Sequence, residues 1–149
     1  MLPAHGMLAD PHGINDLTHA IIGCAIRVHS EMGPGLLENI YNECMQYELR
    51  GRGLHFDRER AVPLVYKGLK LRSRYYIDFV VEDRVVVELK AIVEIAEIHR
   101  RQVLSQLKLA RLHTGLILNF NVVVLTDGGV RRVVNPAAGD PQIDSRAEA

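Results

Sequence analysis

Three side chains that could bind a metal ion and act on a phosphate lie in the stretch YYIDFVVEDRVVVELKA. Asp78 comes ten residues before Glu88, and Lys90 follows Glu88 by two. Alternating apolar and polar residues predict strands at Leu69–Val81 and Val85–Ala91, with a turn between them. Because residues two apart on a strand share a face, Glu88 and Lys90 are expected to point the same way.

The position of Asp78 depends on the length of that turn. A turn of three residues, 82–84, places Asp78 opposite Glu88, with both carboxylates on one face and their Cβ atoms roughly 5 Å apart. A turn one residue shorter pairs Val81 with Arg84 and sends the two carboxylates to opposite faces. A shift of one residue in register therefore decides whether the acids can meet.

Two interpretations fit this pattern. If the acids meet, Asp78 and Glu88 offer oxygen ligands to a hard divalent cation such as Mg²⁺. Lys90 could then orient an attacking water or neutralise the charge that develops during phosphodiester hydrolysis. In the other interpretation the strand is exposed and alternately charged, and Glu88 and Lys90 form an ion pair that contributes little stability. Spacing alone leaves both open.

Length and composition describe one soluble domain. The chain has 149 residues, 48% of them hydrophobic and 24% charged, which is typical of a globular protein. Equal numbers of acidic and basic residues remove any argument from overall charge for a polyanionic partner. No apolar run approaches the roughly 18 residues of a membrane helix, so we expect a cytoplasmic protein. Two cysteines, Cys24 and Cys44, exclude a disulfide framework and are predicted to be buried free thiols.

The periodicity predicts the element order ααβββαββ and an α/β or α+β fold around one mixed sheet. The predicted domain spans residues 15–135, between a flexible leader at 1–14 and a flexible tail at 136–149. The odd positions of the second strand, except Ser73, are apolar or aromatic and predict a single buried face. A helix between the third and fourth strands is long enough for a crossover that makes those strands parallel. The predicted helices are Asn15–Met32, with Asn15 as N-cap, Leu36–Arg50 and Ala96–His113, and the predicted strands are Leu54–Tyr66, Leu69–Val81, Val85–Ala91, Leu116–Phe120 and Gly129–Val134.

Charge is unevenly distributed along the chain. Residues 50–74 contain eight basic and two acidic side chains, and residues 100–111 contain four basic and no acidic ones. Residues 75–97 contain six acidic and two basic side chains. Basic flanks around an acidic centre favour a phosphate-rich partner, with phosphates on the flanks and an ion at the centre. A hairpin face that is simply solvated is the alternative interpretation.

The helix after the third strand has a polar stripe formed by His99, Gln102 and Gln106. Their spacing of three and four residues places them on one face. The stripe fits either a functional face or an ordinary solvated one, and the sequence does not choose between them.

Three motifs, in this order, resemble those of a known family. They are HxIIGxAxxVHxxxGPGLLExxY at His19–Tyr41, the DF-to-ELKA hairpin around Asp78 and Glu88, and GLILNFN at 115–121. The chain resembles the GxxExxY proteins of the PD-(D/E)XK nuclease superfamily over roughly Asp16–Asn135. It differs from the usual pattern in having Gln106 where an aromatic residue is typical, and Ile77 in place of the proline before Asp78.

The resemblance implies a restriction-endonuclease-like fold, a mixed central sheet flanked by helices. It implies that Asp78 and Glu88 bind Mg²⁺ or Mn²⁺, that Glu38 completes or supports this metal site, and that Lys90 orients water or neutralises charge. Gln102 matches a glutamine that members of the family usually carry on the helix after the sheet, where it helps to position the site or the nucleic acid. The expected function is metal-dependent hydrolysis of DNA, with RNA as the less favoured alternative substrate, by a cytoplasmic enzyme without a membrane segment.

Two further expectations accompany this function. The basic flanks 50–74 and 100–111 would contact nucleic acid, and a homodimer is one way for so small a domain to grip a duplex. The alternative is a non-catalytic domain that keeps the nuclease fold and binds nucleic acid or a protein partner.

Overall fold

The computed structural model describes residues 13–138. Its element order is ααβββαββ, followed by a short 3₁₀ helix at Pro136–Ala138, which confirms the predicted order. The predicted flexible segments at 1–14 and 136–149 lie mostly outside the described residues and remain predictions. The helices are α1 (Ile14–Met32), α2 (Glu38–Gly51) and α3 (Glu97–Ala110), and the strands are β1 (Phe56–Tyr66), β2 (Leu69–Val81), β3 (Val85–Lys90), β4 (Thr114–Asn119) and β5 (Val130–Val134).

Helix α1 begins one residue before the predicted N-cap. Ile14 is already helical and buried, and Gly13 precedes it with a φ of 70°. The prediction that Asn15 caps the helix is therefore wrong, because burial of Ile14 extends the apolar stripe of α1 by one position.

Among residues 13–138, no helix has the length and apolar character needed to cross a membrane.

The five strands form one mixed sheet in the order β1-β2-β3-β4-β5. All neighbouring strands are antiparallel except β3 and β4, which are parallel along their whole length. Helix α3 provides the connection that a parallel pair requires. The mixed sheet flanked by helices confirms the predicted fold class and the predicted crossover.

Helices cover both faces of the sheet, so the structure has two hydrophobic cores. Apolar residues of α1 and α2 pack against one face, around Phe79 and Leu89. Val103 and Leu107 of α3 pack against the other. Cys24 lies in the first core, whereas Cys44 is only partly buried, so the prediction that both thiols are buried is wrong for Cys44.

At Asp78, the buried side of strand β2 switches from one face of the sheet to the other. Phe79 packs with α1 and α2, but Ile77 packs on the opposite side with α3. The prediction of a single buried face along β2 is therefore wrong. The cause is a local irregularity in both strands of the β1–β2 pair. Asp78 and the residue opposite it, Glu59, are skipped by the regular strand pairing. Glu59 also has a positive φ of 52°. Such an irregularity re-aims the side chains that follow it.

Close packing of α3 on β4 leads to a stability prediction for Gly115. A Cβ at this position would lie 2.8 Å from Cγ1 of Val103, a buried residue of α3. We expect Gly115→Ala to lower the free energy of unfolding by about 1–3 kcal/mol, because the added methyl overpacks this core. Gly51→Ala is the control, since an added Cβ there meets nothing within 4 Å. Equal urea midpoints for both variants would contradict the prediction.

Candidate active site

The turn between β2 and β3 contains three residues, as the meeting of the two acids requires. Val81 pairs with Val85, so residues 82–84 form the turn. Glu82 anchors this turn to the chain before β1: its N–H donates to the carbonyl of His55 at 2.8 Å, and its carboxylate accepts the N–H of His55 at 2.6 Å. The register is thus the one that places Asp78 opposite Glu88, and the alternative turn is excluded.

The β2–β3 hairpin opens at Asp78. Backbone pairing ends with Phe79 and Val87, and Oδ2 of Asp78 accepts the N–H of Leu89 at 3.1 Å. Asp78 and Glu88 are also close enough for each side chain to influence the pKa of the other. The two acids of the sequence motif are therefore brought together across the opening of the hairpin.

Lys90 lies beside this pair on the face covered by α3. Its Nζ is 3.8 Å from Oε1 of Glu88 and donates to Oε1 of Gln102 at 3.4 Å. Only 19% of the Lys90 side chain and 13% of the Glu88 side chain are exposed. This ion pair is shielded from water, so the interpretation of an exposed, alternately charged strand is wrong for these two residues.

Gln106, a member of the predicted polar stripe to which no role was assigned, contacts the site. It is buried on α3, and its Nε2 donates to Oε2 of Glu88 at 2.9 Å. Its Oε1 is buried without a hydrogen-bond partner in the described structure. The signal that could have identified it is its place one turn after Gln102, on the helix face of Val103 and Leu107.

His99 does not extend the polar stripe into the site. Its Nδ1 accepts the N–H of Ala96 at 2.8 Å and so helps to begin α3. The stripe therefore divides between two roles: Gln102 and Gln106 contact the charged residues of β3, and His99 is a capping residue.

The segment that follows Lys90 is held to the end of β4. The carbonyl of Lys90 accepts the N–H of Phe120 at 3.0 Å. The side chain of buried Asn119 accepts the N–H of Ile92 and donates to its carbonyl, both at 3.0 Å. These contacts position the backbone of Lys90 at the edge of the sheet where the acids lie.

Glu38 approaches the site from the first position of α2. Its side chain is exposed at the rim, and it is near enough to Asp78 and Lys90 for their charges to influence its pKa. Tyr41, one turn later, fixes the start of α2. Its hydroxyl donates to the carbonyl of Gly33 at 2.6 Å and accepts the N–H of Leu36 at 3.1 Å. Its ring stacks on Phe120 with the centroids 4.5 Å apart.

These contacts predict a measurable stabilising role for the Tyr41 hydroxyl. Tyr41→Phe keeps the stacked ring but leaves the carbonyl of Gly33 and the N–H of Leu36, both in partly buried residues, without this partner. We expect the free energy of unfolding to fall by about 1–2 kcal/mol. Tyr47→Phe is the matched control, because this tyrosine of the same helix is 75% exposed. Urea denaturation that gives the same midpoint for both variants would contradict the assigned role.

The three carboxyl groups of the site all have raised pKa values. Burial, followed by the charge of Asp78, raises the pKa of Glu88 to about 7. Burial also raises the pKa of Asp78, against the lowering effects of the Leu89 N–H and Lys90. Desolvation and then the Asp78 charge raise the pKa of Glu38. The cluster has more negative charge than its surroundings stabilise, which is typical of a functional site.

The donor set can be compared with what a divalent ion requires. Within residues 13–138, no group of three or more His, Cys, Asp or Glu side chains is arranged to hold a metal. Mg²⁺ needs only one or two protein carboxylates, since it keeps several waters. Asp78 and Glu88 satisfy this need, and the unpartnered Oε1 of Gln106 offers an acceptor beside them. The pair therefore fits a hydrated Mg²⁺ or Mn²⁺, with Glu38 at the rim.

Several basic residues of the two flanks are already paired with acids. Arg60 bonds to Asp57 and to Asp83, the latter at 2.8 Å. Arg100 lies 2.8 Å from Glu97. Local ion pairs therefore reduce the positive charge that parts of both flanks can offer to phosphates.

Comparison with known families agrees with this geometry. A sequence profile described as the PD-(D/E)XK nuclease superfamily matches residues 15–133. The chain belongs to the PD-(D/E)XK nuclease superfamily. In this PD-(D/E)XK chain, Glu88, Leu89 and Lys90 fit the E-x-K part of the name, while Ile77 stands where the name has proline. Searches of curated proteins and of solved structures gave no match.

Proposed function

We propose that this protein is a divalent-metal-dependent nuclease that hydrolyses phosphodiester bonds in DNA. The observation that supports this most strongly is the meeting of Asp78, Glu88 and Lys90 where the β2–β3 hairpin opens. Membership in the PD-(D/E)XK superfamily supports the same class of reaction. Within that superfamily, the motifs at His19–Tyr41 and 115–121 favour the GxxExxY proteins.

Each residue of the site has a proposed role. Asp78 and Glu88 would hold Mg²⁺ or Mn²⁺, with Glu38 supporting the site from the rim. When bound, such an ion lowers the pKa of a coordinated water and stabilises negative charge on the phosphate. The ammonium of Lys90 orients the attacking water or neutralises charge on a phosphate oxygen. Gln102 holds that ammonium through its 3.4 Å contact.

The partner that fits this site is nucleic acid. Phosphates would lie on unpaired cations of the flanks 50–74 and 100–111, with DNA favoured over RNA. A cytoplasmic location and a homodimer that grips a duplex belong to the same proposal.

A cleavage assay tests the proposal directly. The full chain is incubated with plasmid, linear and branched DNA in Mg²⁺, in Mn²⁺ and in EDTA. We expect cutting that requires the metal and that is lost in Asp78→Asn. Asp127→Asn, which alters an exposed aspartate in the loop after β4, is purified in the same way and should cut like the wild type.

Two results would overturn the nuclease proposal. One is the absence of cutting on every substrate together with the absence of an ion-dependent melting shift. The other is equal cutting by Asp78→Asn and the wild type, which would indicate a contaminating nuclease. Nucleic-acid binding without any cutting would instead favour the alternative of a non-catalytic binding domain.

A further inference from the structure

The outer half of the β1–β2 hairpin contains a bulge that forms a cleft. Between the pairs Pro63–Arg74 and Val65–Lys70, β2 has three intervening residues while β1 has one. The extra length pushes β2 outward, as β-bulges do. The resulting open cleft, here called the bulge cleft, has a volume of about 580 Å³ and is lined by Pro63, Lys70, Leu71, Arg72 and Arg74.

The bulge cleft combines an apolar surface with three cations. Pro63 and Leu71 supply the apolar part, and none of the lining residues is acidic. Within residues 13–138, every ion pair involves a cation other than Lys70, Arg72 or Arg74. The three charges are therefore available to an anionic partner, in contrast to those of Arg60 and Arg100.

Tyr76 lies between the bulge cleft and the candidate active site. Its partner on β1 is Ala61, and Arg74 is paired with Pro63, so Tyr76 and Arg74 share the face of the cleft. Tyr76 is 60% exposed and is two residues from Asp78 along β2. Tyr76 is thus an exposed aromatic residue of β2, two residues before Asp78 and on the face opposite that of Ile77.

We propose that the bulge cleft is a subsite for a single-stranded stretch of DNA that leads to the active site. Phosphates bind to Lys70, Arg72 and Arg74, and bases rest on the apolar part of the cleft and on Tyr76. This inference rests on the proposed nuclease function. Single strands fit best because only unstacked bases can occupy an apolar cleft and stack on a protein ring.

Binding measured without metal tests the subsite apart from catalysis. The anisotropy of a short labelled oligothymidylate is followed at several salt concentrations in EDTA. We expect Arg72→Ala/Arg74→Ala to weaken binding about tenfold or more, and to reduce the salt slope by about 0.7 per lost phosphate contact. Arg131→Ala is the matched control, since Arg131 is exposed on β5 at the opposite edge of the sheet.

A second pair of variants tests the aromatic contact. We expect Tyr76→Leu to weaken binding about 5- to 150-fold, the range found for loss of one stacked base. Tyr66→Leu is the control, because Tyr66 is equally exposed at 60%. Val65 is paired with Lys70 and shares its face. Tyr66 is the next residue of β1 and therefore faces the other side of the hairpin.

The results separate this inference from the nuclease proposal. Failure of the wild type to bind the oligonucleotide, a loss of duplex binding as large as the loss of oligonucleotide binding in the cleft variants, or equal losses in the cleft and control variants would each overturn the subsite. A wild type that cuts DNA while Arg72→Ala/Arg74→Ala binds and cuts equally well would overturn the subsite and leave the nuclease proposal intact. Binding with the expected variant pattern but no metal-dependent cutting would support the subsite and overturn the nuclease proposal.

Discussion

Lys90→Ala should slow metal-dependent DNA cleavage by about 10²–10³-fold, the usual loss when a charge-stabilising donor is removed from an active site. The ammonium lies 3.8 Å from Glu88 in a largely buried setting, so water would replace it poorly. Lys90 also lowers the pKa values of Asp78 and Glu88. We therefore expect the residual activity to require a higher pH than wild-type activity, which initial rates across a pH series would measure.

Arg131→Ala is the control for this experiment. It removes an exposed cation from β5, outside both basic flanks, and should leave both the rate and its pH profile unchanged. A Lys90→Ala enzyme that cuts at a rate close to that of the wild type would show that Lys90 takes no part in the reaction. A slower enzyme with an unchanged pH profile would argue against the electrostatic coupling between Lys90 and the acids.

Glu88→Gln should stabilise the metal-free protein above neutral pH. The folded protein raises the pKa of Glu88 from its ordinary 4.5 to about 7. Between these pH values the folded state holds a proton that the unfolded state has lost. The stability due to protonated Glu88 is therefore fully present below about pH 4.5 and is lost as the pH rises to about 7. The size of the shift corresponds to at most about 3 kcal/mol.

Thermal melts in EDTA across this pH range measure the effect. The wild type should lose stability toward pH 7, whereas Glu88→Gln should lose less and melt higher at pH 8. Glu43→Gln removes an exposed carboxylate from α2 and should retain the wild-type pH dependence. Addition of Mg²⁺ should raise the wild-type melting temperature at pH 8 and leave Glu88→Gln nearly unchanged, since the ion stabilises the state that binds it.

The opposite result would separate the two parts of this prediction. If Glu88→Gln melts below the wild type at pH 8 without metal, the ionised carboxylate is not a source of instability. If Mg²⁺ stabilises both proteins equally, the ion binds elsewhere and Glu88 is not a ligand.

Part of the candidate site could be predicted from local patterns. Residues two apart on a strand must share a face, so the common orientation of Glu88 and Lys90 follows once β3 is recognised as a strand. The order of helices and strands likewise follows from apolar spacing within each segment. The acidic and basic segments could also be read directly, although the sequence did not reveal which cations are already paired.

Other features could not be predicted because they depend on distant contacts. The two possible turns differ by one residue, and Glu82 favours the longer one by bonding to His55, a residue far away along the chain. Gln106 is polar and therefore resembles a solvated residue, but the packing of α3 on the sheet buries it against Glu88.

Strand β2 shows most clearly which features follow from local patterns and which depend on tertiary contacts. Its apolar alternation was sufficient to predict the strand and its bounds, because backbone pleating imposes a period of two. The face that each apolar residue occupies was not predictable, since helices cover both faces of this sheet and either face can bury Ile77 or Phe79. The residue types thus specify the elements and the chemistry that they can perform. The change of face at Asp78, which opens the hairpin and brings the acids together, arises only when the strands pair and the helices pack.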